Sequence, residues 1–108
     1  METVLHMKMD NYEKVKNELL KDDLVSRASI TFKEAKAVDE SKEGYYCYIS
    51  GTDEQCKKAL EMIKEKNPKT GEEFVYAEEV SGKEKNKVIE RIKGEEEKAS
   101  EAFGGIFS

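Results

Sequence analysis

The spacing of apolar residues over positions 2–80 changes repeatedly between the period of a strand and the period of a helix. Residues 3–9 and 28–38 show strand-like spacing, and the segment Tyr45–Ser50 is the strongest strand signal, because it reads Tyr-Tyr-Cys-Tyr-Ile and ends at Gly51. Residues 74–80 form a fourth, more polar segment of this kind. Helical spacing occupies the two intervals after the first and third strands. The predicted order is therefore strand, helix, strand, strand, helix, strand.

Both predicted helices carry signals at their N-termini. Asp10 is followed three positions later by Glu13, which is the acidic version of a capping box, and we expect the first helix to end at residue 22–24. Thr52 and Gln55 form a second capping box before the second helix. Residues 67–71, Asn-Pro-Lys-Thr-Gly, stop that helix in a loop. Its single apolar stripe consists of Cys56, Ala59, Leu60 and Ile63.

The C-terminal segment, residues 81–108, predicts further helix. Val88, Ile89 and Ile92 are its apolar positions, and a second helical piece follows the three glutamates at residues 95–97. Gly104 and Gly105 are expected to end the helix and leave a short tail. With 108 residues, the chain fits one domain. We therefore predict a single domain, with a core over residues 2–80 and a C-terminal helical segment over residues 81–108.

The order of these elements resembles the ferredoxin-like α/β plait over residues 2–80, and it is similar to small archaeal proteins of unassigned function. The resemblance implies an α+β fold with a four-stranded antiparallel sheet. Right-handed crossovers would place both helices on one face of this sheet. The C-terminal helical segment would be an extension to the plait. The plait hosts many unrelated functions, so the resemblance implies no particular activity.

Composition limits the compartment and the classes of partner. Acidic residues outnumber Lys and Arg by 24 to 19, which gives a net charge of −5 and disfavours nucleic acid as a partner. The Lys and Glu enrichment is typical of a thermophile's surface. No secretory signal and no membrane-spanning run is present, so we expect a cytoplasmic protein. Cys47 and Cys56 should then be reduced, and their apolar surroundings favour core positions over a zinc site. We expect no metal and no cofactor.

The sheet face opposite the two crossover helices is the predicted working surface. Leu5, Met7 and Met9 make the better core set on the first strand, and Cys47 and Ile49 make it on the third. The residues in alternation with them would lie on the helix-free face. The candidate binding surface therefore comprises His6, Lys8, Lys33, Tyr46 and Tyr48.

This surface favours a small non-enzymatic binding or self-assembly module. Exposed tyrosines suit the centre of an interface. Phe103, Ile106 and Phe107 near the C-terminus are candidates for association, since they could cover the sheet of their own chain or contact a neighbouring chain. A homo-oligomer is thus one expected state.

Two alternative functions share the same fold. Residues 44–48, Gly-Tyr-Tyr-Cys-Tyr, lie where RNA-recognition motifs stack bases, so Tyr46 and Tyr48 could bind RNA. Against this, Glu43 precedes the glycine and the first strand has no aromatic residue. A small-molecule-sensing regulatory domain is the second alternative. Catalysis is disfavoured, because His6 is the only histidine and no phosphate-cradling glycine loop occurs.

Overall fold

The computed structural model describes the backbone of residues 1–107 and the side chains of residues 1–94. The fold is α+β, as predicted, with three α-helices and a four-stranded antiparallel sheet in the described part of the chain. The elements in chain order are β1 (Glu2–Met7), α1 (Met9–Lys21), β2 (Ser29–Glu34), β3 (Tyr45–Ser50), α2 (Asp53–Met62), β4 (Lys64–Lys66), β5 (Glu73–Val75), β6 (Glu78–Val80) and α3 (Gly82–Phe107).

The main sheet has the strand order β2-β3-β1-β6, and all neighbouring strands are antiparallel. β3 pairs along its whole length with β1 on one side and with β2 on the other. β2 and the short strand β6 are therefore the two outer strands. β4 and β5 form a separate two-stranded hairpin.

The two faces of the main sheet are both covered by helices. The first face packs against α1 and α2, and its core joins Leu5 and Cys47 of the sheet to Leu19 and Cys56 of the helices. The second face packs against the N-terminal part of α3 through Val88 and Ile92. The prediction that crossover helices cover one face is confirmed. The prediction of a helix-free second face is wrong, because α3 brings its apolar stripe onto that face.

The third strand and the second helix begin where the sequence predicts. β3 has the predicted bounds, and the capping box of α2 is present. In it, the amide of Gln55 donates to Thr52 Oγ1 over 3.2 Å, and the amide of Thr52 donates to Gln55 Oε1 over 2.9 Å. Local hydrogen bonding by these two side chains fixes where the helix begins.

The start of α1 differs from the prediction. The N-cap is Lys8, without a side-chain hydrogen bond, and Asp10 lies inside the first turn. There its carboxylate lies at the positive end of the helix dipole, so Asp10 stabilises α1 by its charge and not as an N-cap. β1 accordingly ends at Met7, and Met9, predicted to belong to the core, is an exposed helical residue.

Two other strands are also shorter than predicted. The second strand ends at Glu34, since Ala35–Ala37 forms a 3₁₀ turn with a fully buried Ala35. The fourth predicted strand, residues 74–80, is interrupted at residues 76–77 and divides between β5 of the hairpin and β6 of the main sheet. The predicted loop over residues 67–71 joins β4 to β5, and Gly71 in this loop has a φ of 75°. The hairpin itself was not predicted, because β4 is the fully charged segment Lys-Glu-Lys.

α3 runs as one helix through Gly94 and through the two glycines at residues 104–105. It was predicted as two pieces. The side chains of the predicted association residues Phe103, Ile106 and Phe107 lie outside the described residues. Over the part of the chain that the structure describes, no helix combines the length and apolarity needed to cross a membrane.

Candidate functional site

Tyr46 and Tyr48 lie on the second face of the sheet, as the alternation of β3 predicts, but α3 covers them. Only 1% of Tyr46 and 5% of Tyr48 is exposed. Both rings pack in the cluster that contains Val4, Val88 and Ile92. The prediction of two exposed tyrosines is therefore wrong, and neither ring offers a surface on which a base could stack in this arrangement.

Polar contacts with the first turn of α3 fix the position of Tyr46. Its hydroxyl donates a 2.6 Å hydrogen bond to Glu84 Oε1, and Lys42 Nζ lies 3.5 Å from the same oxygen. The hydrogen bond from Tyr46, together with the charge of Lys42, holds the pKa of Glu84 below its ordinary value of 4.5. Burial, and then the bond to Glu84, raise the pKa of Tyr46. The contact thus holds a neutral phenol against a carboxylate.

Tyr48 occupies a similar position nearer the other end of β3. A hydrogen bond from Tyr48 is the main cause that lowers the pKa of Glu2. Lys93 of α3 reaches Glu2 over 3.4 Å. The Tyr46 hydroxyl therefore links the sheet to α3 directly, and the Tyr48 hydroxyl does so through Glu2 and Lys93, which is a structural role.

The remaining residues of the predicted surface lie around Tyr46, since His6 of β1 and Lys33 of β2 are its cross-strand neighbours in the sheet. His6 is half-buried, its Nε2 donates to the carbonyl oxygen of Glu43 over 2.7 Å, and its ring lies 5.2 Å from the ring of Tyr46. Lys8 is exposed at the start of α1. Lys33 is half-buried on the outer strand β2.

A shallow depression of about 760 Å³ lies beside His6 and Lys8. Its lining carries both signs of charge, and includes Lys36 as well as Glu34. Gly44, which also lines it, has a φ of 89° and lies close to the Met7 carbonyl at the end of β1. Within the described residues, no group of histidine, cysteine and acidic side chains could hold a metal ion.

Both cysteines are buried and unbridged, which confirms their predicted core positions. Burial raises the pKa of the Cys47 thiol, so this group stays protonated at neutral pH. Cys47 is therefore a small apolar core residue and not a nucleophile.

The outer side of β2 has hydrogen-bonding capacity that the main sheet does not use. In the register of β2 with β3, Ala35 lies opposite Gly44, and its amide donates to the Gly44 carbonyl over 2.9 Å. Hydrogen-bonded and non-bonded pairs alternate in an antiparallel ladder. Ser29, Thr31 and Lys33 therefore bond to β3. The backbone groups that point away from the sheet are those of Ile30, Phe32 and Glu34; we call this set the β2 edge.

Half-buried apolar side chains flank the β2 edge. Ile30 and Phe32 pack partly on the first-face core, and the ring of Phe32 makes an edge-on contact with Tyr12 of α1 at 5.5 Å. Thr31 points to the opposite face of the sheet and is also half-buried. At the centre of the edge, apolar and β-branched side chains thus stand beside unpaired backbone groups.

Sequence reasoning did not select the β2 edge. The signal was available in the predicted topology, because the second strand of a plait lies at an edge of the sheet. Strand alternation predicts only the face of the sheet on which the side chains of Ile30 and Phe32 lie. Their backbone direction depends on hydrogen-bond phase, and that phase follows from the pairing of β2 with β3.

Comparison of the chain with protein-family models, with curated proteins and with solved structures finds no match.

Proposed function

We propose that this protein is a non-enzymatic binding module built on a ferredoxin-like plait, and that it works by accepting an extended polypeptide strand at the β2 edge. The strand order β2-β3-β1-β6 and the antiparallel pairing support the plait, with β6 as its fourth strand. The unbridged cysteines support a cytoplasmic location.

The observation that carries this function is the outward direction of the backbone groups of Ile30, Phe32 and Glu34. A regular, unpaired strand edge is a template for another strand, and proteins that do not use such an edge usually shorten, charge or cover it. β2 is six residues long, and its first four residues are uncharged, so that charge occurs only at Lys33 and Glu34. Main-chain hydrogen bonds would supply affinity, and alternate side chains would supply selectivity.

The non-enzymatic part of the proposal rests on the state of the candidate catalytic groups. Nε2 of His6 is engaged with a backbone carbonyl, and the thiol of Cys47 is protonated in the core. A cysteine nucleophile needs a thiolate, and the nitrogen of His6 that donates to the Glu43 carbonyl carries a proton and cannot accept one.

A peptide titration followed by nuclear magnetic resonance tests strand acceptance. The probe is a synthetic peptide with the sequence of residues 28–35, added in excess to dilute isotope-labelled protein. We expect shifts concentrated at the amides of Ile30, Phe32 and Glu34, while the amide of Leu5 in the central strand β1 stays unchanged. The matched control is the same peptide with N-methyl groups on its third and fourth positions, residues 30 and 31 of the parent sequence, which removes a donor from each of its two edges.

Shifts of the edge amides with the unmodified peptide, lost with the control, would support the proposal. No shift at saturating peptide, or shifts spread over α2 and the β4–β5 hairpin, would overturn it.

A further inference from the structure

We propose that the strand accepted at the β2 edge is β2 of a second copy of this chain, so that two sheets join into one sheet of eight strands around a two-fold axis. This inference rests on the proposed function and names its partner. We call this strand-to-strand interface the joint. Three features of β2 support it: the direction of its backbone hydrogen-bonding groups, the pattern of its side chains and the charges at its ends.

The backbone phase permits a symmetric antiparallel pair. A two-fold axis perpendicular to the sheet places residues opposite each other whose numbers are both odd or both even. Each face of one sheet therefore continues into the same face of the other copy. With the axis at Thr31, Ile30 of one copy lies opposite Phe32 of the other. Both residues direct their N–H and C=O groups outward, so this pair exchanges two hydrogen bonds, and symmetry supplies a second such pair.

The side chains suit the same register. Ile30 against Phe32 is a pair of a β-branched and an aromatic residue, and Thr31 against its own copy is a Thr–Thr pair; both kinds of pair stabilise sheets. Lys33 falls opposite Ser29, which keeps the two copies of Lys33 four residues apart along the joint. With the axis at Phe32 instead, Glu34 would oppose Ile30 and place a charge against an apolar side chain.

The charges at the ends of β2 favour the antiparallel direction. Exposed Arg27 precedes the strand in the 3₁₀ turn Val25–Arg27, and exposed Glu34 ends the strand. In the register centred on Thr31, Glu34 of one copy lies opposite Ala28 of the other, next to Arg27. Unlike charges therefore meet at both ends of the joint. An interface of one strand pair is small, so we expect association in the micromolar range.

Sedimentation velocity of charge variants tests the joint and its centre. The wild-type chain should approach twice its 12.3 kDa mass as its concentration rises. Thr31→Lys and Thr31→Glu each place like charges against each other at the axis, so each variant alone should associate about fivefold more weakly or not at all. An equimolar mixture pairs Lys with Glu and should regain the dimer. Recovery in the mixture also demonstrates that both variants are folded.

Disulfide trapping tests the register independently. Directly opposed residues of a non-hydrogen-bonded pair have Cα atoms about 4.5 Å apart, which a disulfide can bridge. Oxidised Thr31→Cys should therefore form a covalent dimer. Lys33→Cys, on the same strand and the same face, should not, because its two copies are separated by about 13 Å along the strand. The buried native cysteines do not compete.

The outcomes separate the two proposals. A wild-type chain that remains monomeric, or charge variants that dimerise as well as wild type, would overturn the two-fold joint, and so would efficient trapping of Lys33→Cys. If the edge amides nevertheless respond to the peptide, strand acceptance stands and only the partner is wrong. If the peptide also leaves those amides unchanged, the proposed function fails as well.

Discussion

Replacement of Thr3 by valine should stabilise the fold. Thr3 is fully buried on β1, and its Oγ1 has no hydrogen-bond partner among the described residues. A buried hydroxyl without a partner costs about 1–3 kcal/mol in desolvation. Valine keeps the β-branched shape and exchanges the hydroxyl for a methyl group, so the cavity and the strand geometry stay the same. We expect the free energy of unfolding to rise by about 1–2 kcal/mol, from the lower part of the desolvation range.

Urea denaturation followed by circular dichroism measures this change, and Thr3→Ser is the matched control. Serine retains the hydroxyl and deletes the buried methyl group, so it should lower the free energy of unfolding by about 1 kcal/mol. The predicted order of stability is therefore Val, then Thr, then Ser. A Thr3→Val protein that is less stable than wild type would refute the reasoning, because it would mean that the hydroxyl makes a favourable contact in the folded state.

Three other changes have expected outcomes. Gly44→Ala should lower the free energy of unfolding, measured by urea denaturation, by more than about 2 kcal/mol. The φ of Gly44 is 89°, and a Cβ atom there would lie 2.1 Å from the Met7 carbonyl oxygen. A loss as small as that of a surface substitution would contradict this close approach. Tyr46→Phe should lower the free energy of unfolding by about 1 kcal/mol at neutral pH, since Glu84 is partly exposed. In denaturation across a pH series, the difference in stability between wild type and variant should shrink as pH falls below 4.5, because the lowered pKa of Glu84 then no longer adds stability. A difference in stability that does not depend on pH would count against the hydrogen bond. Thr52→Ala should lower the stability measured by thermal unfolding by about 1 kcal/mol, whereas Thr52→Ser should remain near wild type. Equal losses of stability in both variants would contradict the capping role of Thr52.

The sequence alone determined those elements that depend on interactions between residues close together in the chain. The alternation of Tyr45–Ser50 fixed β3 and assigned Tyr46 and Tyr48 to the correct face, because side chains on a strand alternate regardless of what lies above them. Thr52 and Gln55 fixed the start of α2, because the hydrogen bonds of a capping box join residues three positions apart. The antiparallel four-stranded sheet also followed from the order of the elements.

Only the tertiary structure decided what covers each surface. The spacing of Val88 and Ile92 predicts a helix with an apolar stripe but does not specify its partner, and the structure shows that this stripe covers Tyr46 and Tyr48. The β2 edge depends equally on long-range pairing, since the outward direction of Ile30 and Phe32 follows from how β2 bonds to β3. Periodicity records the side of an element on which a residue lies. Burial and free hydrogen-bonding capacity depend on neighbours that are distant in the chain.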